Sequence, residues 1–481
     1  MILAVVHNLL CKGFCEGIMQ DPELWAQAQW GKVELGDQRR SKRAVKLGAA
    51  LASAPDKSLP VQIEGNWADV RAAYRLLDSA PVTHAALTAP HRAATRAQAG
   101  AVAGPVLFIQ DTTQLDYTGH RATSGLGPIG NGHNQGLLVH SCLAVVPQPD
   151  GQNRLLGLAA QRVWTRPPVG RKQQESQDQR QRRARESEVW SETLLACGPV
   201  PQGACWIGVG DAESDIFGHM RQAREAGFDY LLRAGQNRRV EGPDGRSGYL
   251  FEVMRALPAQ ARRTLHLASR GGQRARTVEL SVAWTALRIC APYDNPSERG
   301  FAAQSCWGVR AWGEELEWVL LSSRPVEDAA QACERLDWYA GRWLIEEYHK
   351  GLKTGCAIER RRLESAKRIT ALLGFVALVA VRLLQAREAA RRTPEALVRG
   401  SVPAEFVRII AHKHKLSAET MTHREFWRGV AKLGGFLGRR RDGEPGWQSL
   451  WTGLLRLQDM AEALAIPDHT RHPSQNQDKC G

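Results

Sequence analysis

The sequence predicts an α/β protein: a central region of strands and helices, carrying an antiparallel β insertion, between two basic helical regions. Three observations lead there. Short apolar runs of strand length lie at 106–109, 137–146, 155–164, 206–209 and 230–232, two of them ending on an aspartate. Between about 236 and 323 apolar and polar side chains alternate with Gly and Pro interspersed, most clearly at 277–283 and 318–322. Before residue 95, and from Pro325 to about Arg392, apolar residues recur at helical spacing instead. The expected organisation is 19–95 helical, 96–392 the α/β region with its insertion at about 236–323, and 393–481 helical again.

Bulk composition narrows the class. Of 481 residues, 43% are hydrophobic and 24% charged, the balance of a globular chain. The formal net charge of +14 favours a polyanionic partner, because phosphates neutralised by Lys and Arg release counterions. The 10 cysteines form no Cys-x-x-Cys pair, and Cys11 and Cys15 have no metal-spaced partners after them, which reads as reduced thiols in a cytoplasmic protein. Residues 1–18 are mildly apolar, but Lys12 follows the apolar stretch, the wrong order for a secretory signal. Met19 offers a later start, which would make 1–18 an over-extension. The longest apolar stretch, 371–381, is too short to span a bilayer, and Arg382 closes it. A buried helix, and no membrane, is expected.

In the first region Arg39, Lys42, Arg43 and Lys46 share one face of a helix, with Ala44, Leu47 and Leu51 on a neighbouring face. A solvated charged face accounts for them as well as a binding one does. Asn66 is placed to cap a second helix carrying Val70, Tyr74 and Leu77. Further on, 171–185 is a Gln- and Arg-rich loop with a solvated helix start. His133 and His140, at the start of the second run, read as structural. Near the C-terminus Trp447, Leu450, Trp451, Leu454 and Leu455 make an apolar stripe wide enough to pack on a partner helix; packing on the chain's own catalytic region is the alternative.

The chemistry concentrates in three places. Asp111 and Asp211 each follow a strand, where the backbone fixes a carboxylate while its tip stays open to a metal. An Asp after a strand also commonly caps the following helix. The third place is a helix on which Tyr339, Arg342, Glu346 and Lys353 fall within roughly 60° of one another. A phenol, a guanidinium, a carboxylate and an ammonium beside Trp338 and Trp343 suit bases and phosphates.

The spacing Tyr339-x2-Arg342-x3-Glu346-x6-Lys353 resembles the signature of cut-and-paste bacterial insertion-sequence transposases with an Asp-Asp-Glu catalytic set. Asp111-Thr112-Thr113 resembles that family's first-aspartate motif, and Gly210-Asp211-Ala212-Glu213-Ser214-Asp215 its second. Leu35-Gly36-Asp37 with Arg39-Arg40, and Leu433-Gly434-Gly435-Phe436 with Trp447 and Trp451, extend the likeness over nearly the whole chain.

The resemblance implies a ribonuclease-H-like mixed sheet with helices on both sides, an N-terminal domain that binds transposon-end DNA, and a dimerising C-terminal region. It implies that Asp111, Asp211 and Glu346 are catalytic and hold two Mg²⁺ ions, with Mn²⁺ able to substitute. Tyr339, Arg342 and Lys353 match residues gripping phosphates near the cleavage point, and Lys350 and Arg233 match further DNA-contacting cations. Trp318 matches a tryptophan stacking on a flipped base, and Trp343 an aromatic probing the opened duplex. Arg39, Arg40, Lys42 and Arg43 fall in the end-binding region. The implied partners are double-stranded DNA, as inverted-repeat ends and target, and a second copy of the chain in the DNA-bound synaptic complex at the bacterial nucleoid. A catalytically silent relative that represses transposition by binding DNA is the alternative reading.

Overall fold

A computed structural model of the chain describes residues 21–465 apart from 64–65, 149–152, 168–185, 268–275, 294, 315, 393 and 440–441. The segment 1–18, Cys11, Cys15 and the polar stretch 171–185 lie outside the described residues. The chain divides into two compact units, Pro22–Leu384 and the residues from Gln385 onward.

The larger unit opens with helices α1 (Pro22–Trp30), α2 (Gln38–Ser53), α3 (Trp67–Asp78) and α4 (His84–Gly100), with one short turn of helix at Leu59–Gln62. The caps are local. The Asp37 carboxylate accepts from the Arg39 N–H at the start of α2, and Asn66 caps α3 as expected, accepting from Ala68 and Asp69. Trp30 anchors these helices: its indole N–H donates to the Leu87 carbonyl (3.1 Å), and its ring packs against Trp25 and Phe375. The helical region thus shares a core with the rest of the unit.

Twelve strands form one mixed sheet. The first are β1 (Pro105–Asp116), β2 (Gly127–Ile129), β3 (Asn134–Val146) and β4 (Arg154–Trp164). Helix α5 (Val189–Ala196) leads to β5 (Cys205–Gly210), and α6 (Phe217–Glu225) to β6 (Asp229–Arg233). In the sheet β3 pairs with both β4 and β1, then β5 and β6 follow. Neighbours β1, β5 and β6 run parallel, while β3 is antiparallel to both of its long neighbours. This large mixed sheet fits the implied ribonuclease-H-like core.

Then come β7 (Arg239–Glu241), β8 (Ser247–Tyr249), α7 (Leu250–Ala256), β9 (Ala261–Leu267), β10 (Arg276–Ile289), β11 (Gln304–Trp312) and β12 (Glu317–Ser322). These strands pair antiparallel among themselves and continue the same sheet, because β12 pairs with β6.

The unit closes with α8 (Ala329–Ala340), α9 (Trp343–Lys350), a π-helical turn (Gly351–Gly355) and α10 (Ala366–Arg392). The sequence suggested one helix through Tyr339, Arg342, Glu346 and Lys353; the structure breaks it twice. At Gly341 and Arg342 the hydrogen bonds tighten to i→i−3 spacing, from Arg342 to Tyr339 and from Ile345 to Arg342. After Lys350 they loosen to i→i−5, from Cys356 to Gly351. Helix α10 continues beyond Arg382. By length and composition Ala366–Glu388 could cross a membrane, but 89% of its most apolar 18-residue stretch is buried inside the protein. Arg382 lies with its guanidinium 4.9 Å from the Trp25 ring centre.

The smaller unit contains α11 (Ala404–His414), α12 (His423–Leu433) and α13 (Trp447–Ala465). Its core joins Phe406, Ile410, Phe426, Trp427 and Val430 to Leu450, Leu454 and Leu457. The C-terminal stripe, expected to meet a partner helix, is therefore covered by this unit's own helices: Leu450 and Leu454 are buried and Trp451 packs against the same cluster. The side chain of Trp447 is outside the described set. Gly434 and Gly453 allow α12 and α13 to touch, since a methyl on Gly453 would run into the Val430 carbonyl oxygen. Gly453→Ala should therefore destabilise this unit by on the order of 1–3 kcal/mol. Limited proteolysis should show faster cleavage between residues 394 and 465, with the larger unit unchanged.

Candidate active site

Strand register brings the two aspartates together. The β1–β5 ladder ends with Ile109 opposite Val209. Side chains alternate faces along a strand, so two residues further on Asp111 and Asp211 lie on the face shared by Ile109 and Val209. Neighbouring strands are about 4.8 Å apart. The surroundings of the two differ. Asp211 directly follows β5 and caps a short 3₁₀ turn, its Oδ1 accepting from the Glu213 N–H (2.9 Å), so the capping reading holds for it. Asp111 does not end a strand, contrary to the sequence reading. Strand β1 runs on to Asp116 because β3 keeps pairing with it after β5 has stopped. Its Oδ1 accepts from the Thr112 N–H (2.9 Å).

Helix α9 brings the third carboxylate. Arg342 Nη2 donates to Glu346 Oε1 at 2.8 Å, and Arg342 Nη1 stands 3.8 Å from Asp111 Oδ2. One guanidinium thus lies between two of the carboxylates. It does not balance them. Burial, first, and then the negative charges of Asp211 and Glu346 push the Asp111 carboxyl up to about 7, against the opposing pull of Arg342 and the Thr112 N–H. Asp111, Asp211 and Glu346 therefore share one electrostatic site.

The other residues singled out divide into groups. Tyr339 is buried with its ring edge-on to Trp318 (5.2 Å), and burial raises its phenol although Arg342 and Arg233 lower it. Trp318 on β12 is half-buried. Arg233 ends β6, is exposed, and acts on the Tyr339 phenol. Trp343 and Lys350 are exposed on α9. Lys353 sits on the π-helical turn, 3.9 Å from Glu359, and its charge bears on His349. On α2, Arg39, Lys42 and Arg43 are exposed, whereas Arg40 turns back to donate to the Leu35 carbonyl (2.9 Å). His140 is buried between Thr112 and Gln110, with its pKa pushed down to about 3 by burial, in keeping with a structural role. His133 is exposed.

Sequence reading missed His349. It is buried, with Nδ1 3.9 Å from Asp111 Oδ2 and Nε2 3.2 Å from Ser141 Oγ, and burial pushes its pKa down to about 3. The signal was available: His349 follows Glu346 by three positions, one helical turn along the same face.

The donor set suits a divalent cation. Carboxylate oxygens are the hard ligands that Mg²⁺ and Mn²⁺ select, and the Asp111 carboxyl is raised first by burial and then by the charges of Asp211 and Glu346. Among the described residues no three His, Cys, Asp or Glu are gathered closely enough to enclose an ion, and Arg342 bridges Asp111 and Glu346 instead.

Two regions match family models: residues 22–82 match "Transposase DNA-binding" and residues 207–382 match "Transposase DDE domain". The first includes the basic face of α2; the second includes Asp211 and Glu346, with Asp111 lying before its start. DDE transposase domains act with divalent metal ions. A solved structure described as a piggyBac transposase synaptic complex with hairpin DNA aligns over 96% of this chain and 83% of that one. At 11% identity and a TM-score of 0.34 it transfers no detail of the site.

The raised Asp111 carboxyl has a stability consequence. Its proton is held more tightly folded than unfolded, so its contribution is favourable at low pH and is lost as pH rises from about 4 through about 7. Without metal, Asp111→Asn should raise Tm by on the order of a few degrees above pH 7. The gain should shrink to nothing near pH 4, as followed by thermal melts across that range.

Proposed function

We propose that the chain is a cut-and-paste transposase whose Asp111, Asp211 and Glu346 hold divalent ions, two Mg²⁺ per site with Mn²⁺ able to substitute. The observation carrying this reading is the convergence of three carboxylates on one under-neutralised site, in a chain with transposase DNA-binding and DDE domains. Bound there, the ions supply Lewis-acid polarisation of the scissile phosphate. The sheet fixes Asp111 and Asp211, and α9 brings Glu346 and Arg342 to them. Arg342 is placed to give up its carboxylate contacts for a phosphate oxygen. Trp318 and Tyr339 form an aromatic pair on which an unstacked base can rest, while Arg233, Trp343, Lys350 and Lys353 line the DNA path.

The reaction begins with water attacking the phosphodiester at the transposon end. The freed 3′-hydroxyl then attacks the opposite strand to give a hairpin, which reopens, and the 3′-ends join target DNA. End recognition falls to the exposed face of α2. Two chains pair the ends in the synaptic complex, each binding one end and cutting the other. Within the C-terminal region Leu450 and Leu454 are already buried by this chain, so the half-buried Trp451 and Leu455 are the part of the α13 stripe left to a partner.

Asp111→Asn and Glu346→Gln should abolish Mn²⁺-dependent nicking of an inverted-repeat end while leaving its binding largely intact in a gel-shift assay. Nicking by either variant, or by the wild type in excess EDTA, would overturn the assignment; unchanged end binding with no nicking by the wild type would favour the repressor reading.

Recognition calls for point substitutions, because deleting the first helices would strip Trp30 and its partners from the core. Replacing Arg39, Lys42 and Arg43 with Ala should weaken end binding and reduce its salt dependence by roughly one unit of log–log slope for each phosphate left without its cation. An unchanged slope would place recognition elsewhere.

A further inference from the structure

Behind the carboxylates lies a row of buried polar groups that the reaction scheme leaves without a task. Ser141 on β3 is the cross-strand partner of Asp111, and Gln161 on β4 is the cross-strand partner of Ser141. One line across three strands therefore reads Asp111, Ser141, Gln161. Helix α9 lays Tyr348 and His349 over this row, and α4 closes its far end with His84.

The hydrogen bonds define a direction. Gln161 Nε2 donates to Ser141 Oγ (2.9 Å) and to the Tyr348 hydroxyl (3.0 Å), which uses both of its hydrogens. Gln161 Oε1 then accepts from His84 Nε2 at 2.8 Å. Ser141 Oγ meets His349 Nε2 at 3.2 Å, and because the other ring nitrogen faces a carboxylate, the favoured arrangement has Ser141 donating its hydrogen to Nε2. A neutral imidazole whose Nε2 accepts carries its hydrogen on Nδ1. That nitrogen faces Asp111 Oδ2 at 3.9 Å. Since Asp111 Oδ1 takes the Thr112 N–H, the two carboxylate oxygens have separate donors in view.

We propose that Gln161 and Ser141 set the tautomer of His349 so that its Nδ1–H orients the Asp111 carboxylate for metal, making His349 a positioning residue. The proposal rests on the reading that Asp111 is a metal ligand. Groups that hold a ligating carboxylate by hydrogen bonds are worth roughly 10–100-fold in metal affinity. No proton changes hands in this role; what matters is which nitrogen bears it.

The tautomer can be tested by shape. In a side-chain amide, Asn places its N–H₂ close to the position of an imidazole Nδ1, and Gln places it close to Nε2. The experiment measures the Mn²⁺-induced rise in Tm of the full chain without DNA, and separately the Mn²⁺ concentration giving half-maximal end nicking. His349→Leu should weaken Mn²⁺ by roughly 10–100-fold in both readouts. His349→Asn should stay within a few-fold of wild type, and His349→Gln should fall with the Leu variant. Ser141→Ala, a milder change, releases the tautomer and should weaken Mn²⁺ several-fold even if the Leu variant does not fold. A wild-type Mn²⁺ shift that survives in the Leu or Ala variant overturns the positioning role alone. Rescue by Gln in place of Asn overturns the tautomer. A wild type with no Mn²⁺ shift overturns the metal reading and this proposal with it.

Discussion

The site depends on a like-charge contact that the sheet imposes. Two neighbouring parallel strands in fixed register place Asp111 and Asp211 on one face, and α9 adds Glu346 to them. Local contacts do not offset the cost: burial and the neighbouring carboxylates act against ionisation of Asp111 more than Arg342 and the Thr112 N–H favour it. It persists because the register is fixed elsewhere, by the apolar packing of Phe108, Trp206 and Phe228 on the opposite face. A core repels its own carboxylates so that they attract something absent from the chain. Residues that weaken the folded state while serving a reaction are the usual exception to consistent local design.

Arg342 shows how the resting site tolerates the charge. As a planar fork it can reach Glu346 and approach Asp111 together, which a lysine ammonium could not do with the same geometry. Its position comes from the tight turn between α8 and α9, since one more regular helical step would swing it away. The guanidinium also lies over the Tyr339 ring, 5.9 Å from its centre, while the ring meets Trp318 edge-on. Two departures from α-helical pitch interrupt the segment that carries the four signature residues, yet Arg342 still touches both Tyr339 and Glu346.

Much of this was legible in the sequence, and what was not has a physical cause. Strands β3 to β6 and the cap at Asn66 follow from short-range pattern, and each stands where the pattern put it. The continuation of β1 past Asp111 could not be read, because it depends on β3 pairing for longer than β5, a tertiary fact. The broken helix was invisible because a 3₁₀ step and a π step leave residue spacing untouched while changing phase. His349 was missed although its spacing from Glu346 was in view, since a histidine among apolar residues reads as ordinary core until its partners are known. The α13 stripe was seen correctly as apolar, but periodicity states only that a face is covered, never by what.

The binding face and the reactive site belong to one body, and this constrains how they can be separated. Trp30 packs on Phe375 of α10, the Arg361 guanidinium reaches the carbonyls of Pro55 and Lys57, and Arg368 pairs with Asp78 (2.5 Å). His84, at the first turn of α4, joins the polar row that ends at Asp111. The helices bearing Arg39, Lys42 and Arg43 are thus tied to the catalytic sheet by aromatic, ionic and buried polar contacts, each worth more together than alone. Under the proposed function, a phosphate bound on α2 would be held at a set position relative to the carboxylates within this unit. Such rigidity lets binding energy from a remote contact contribute to orientation at the reacting phosphate. It also means that a deletion meant to remove DNA recognition removes part of the catalytic core.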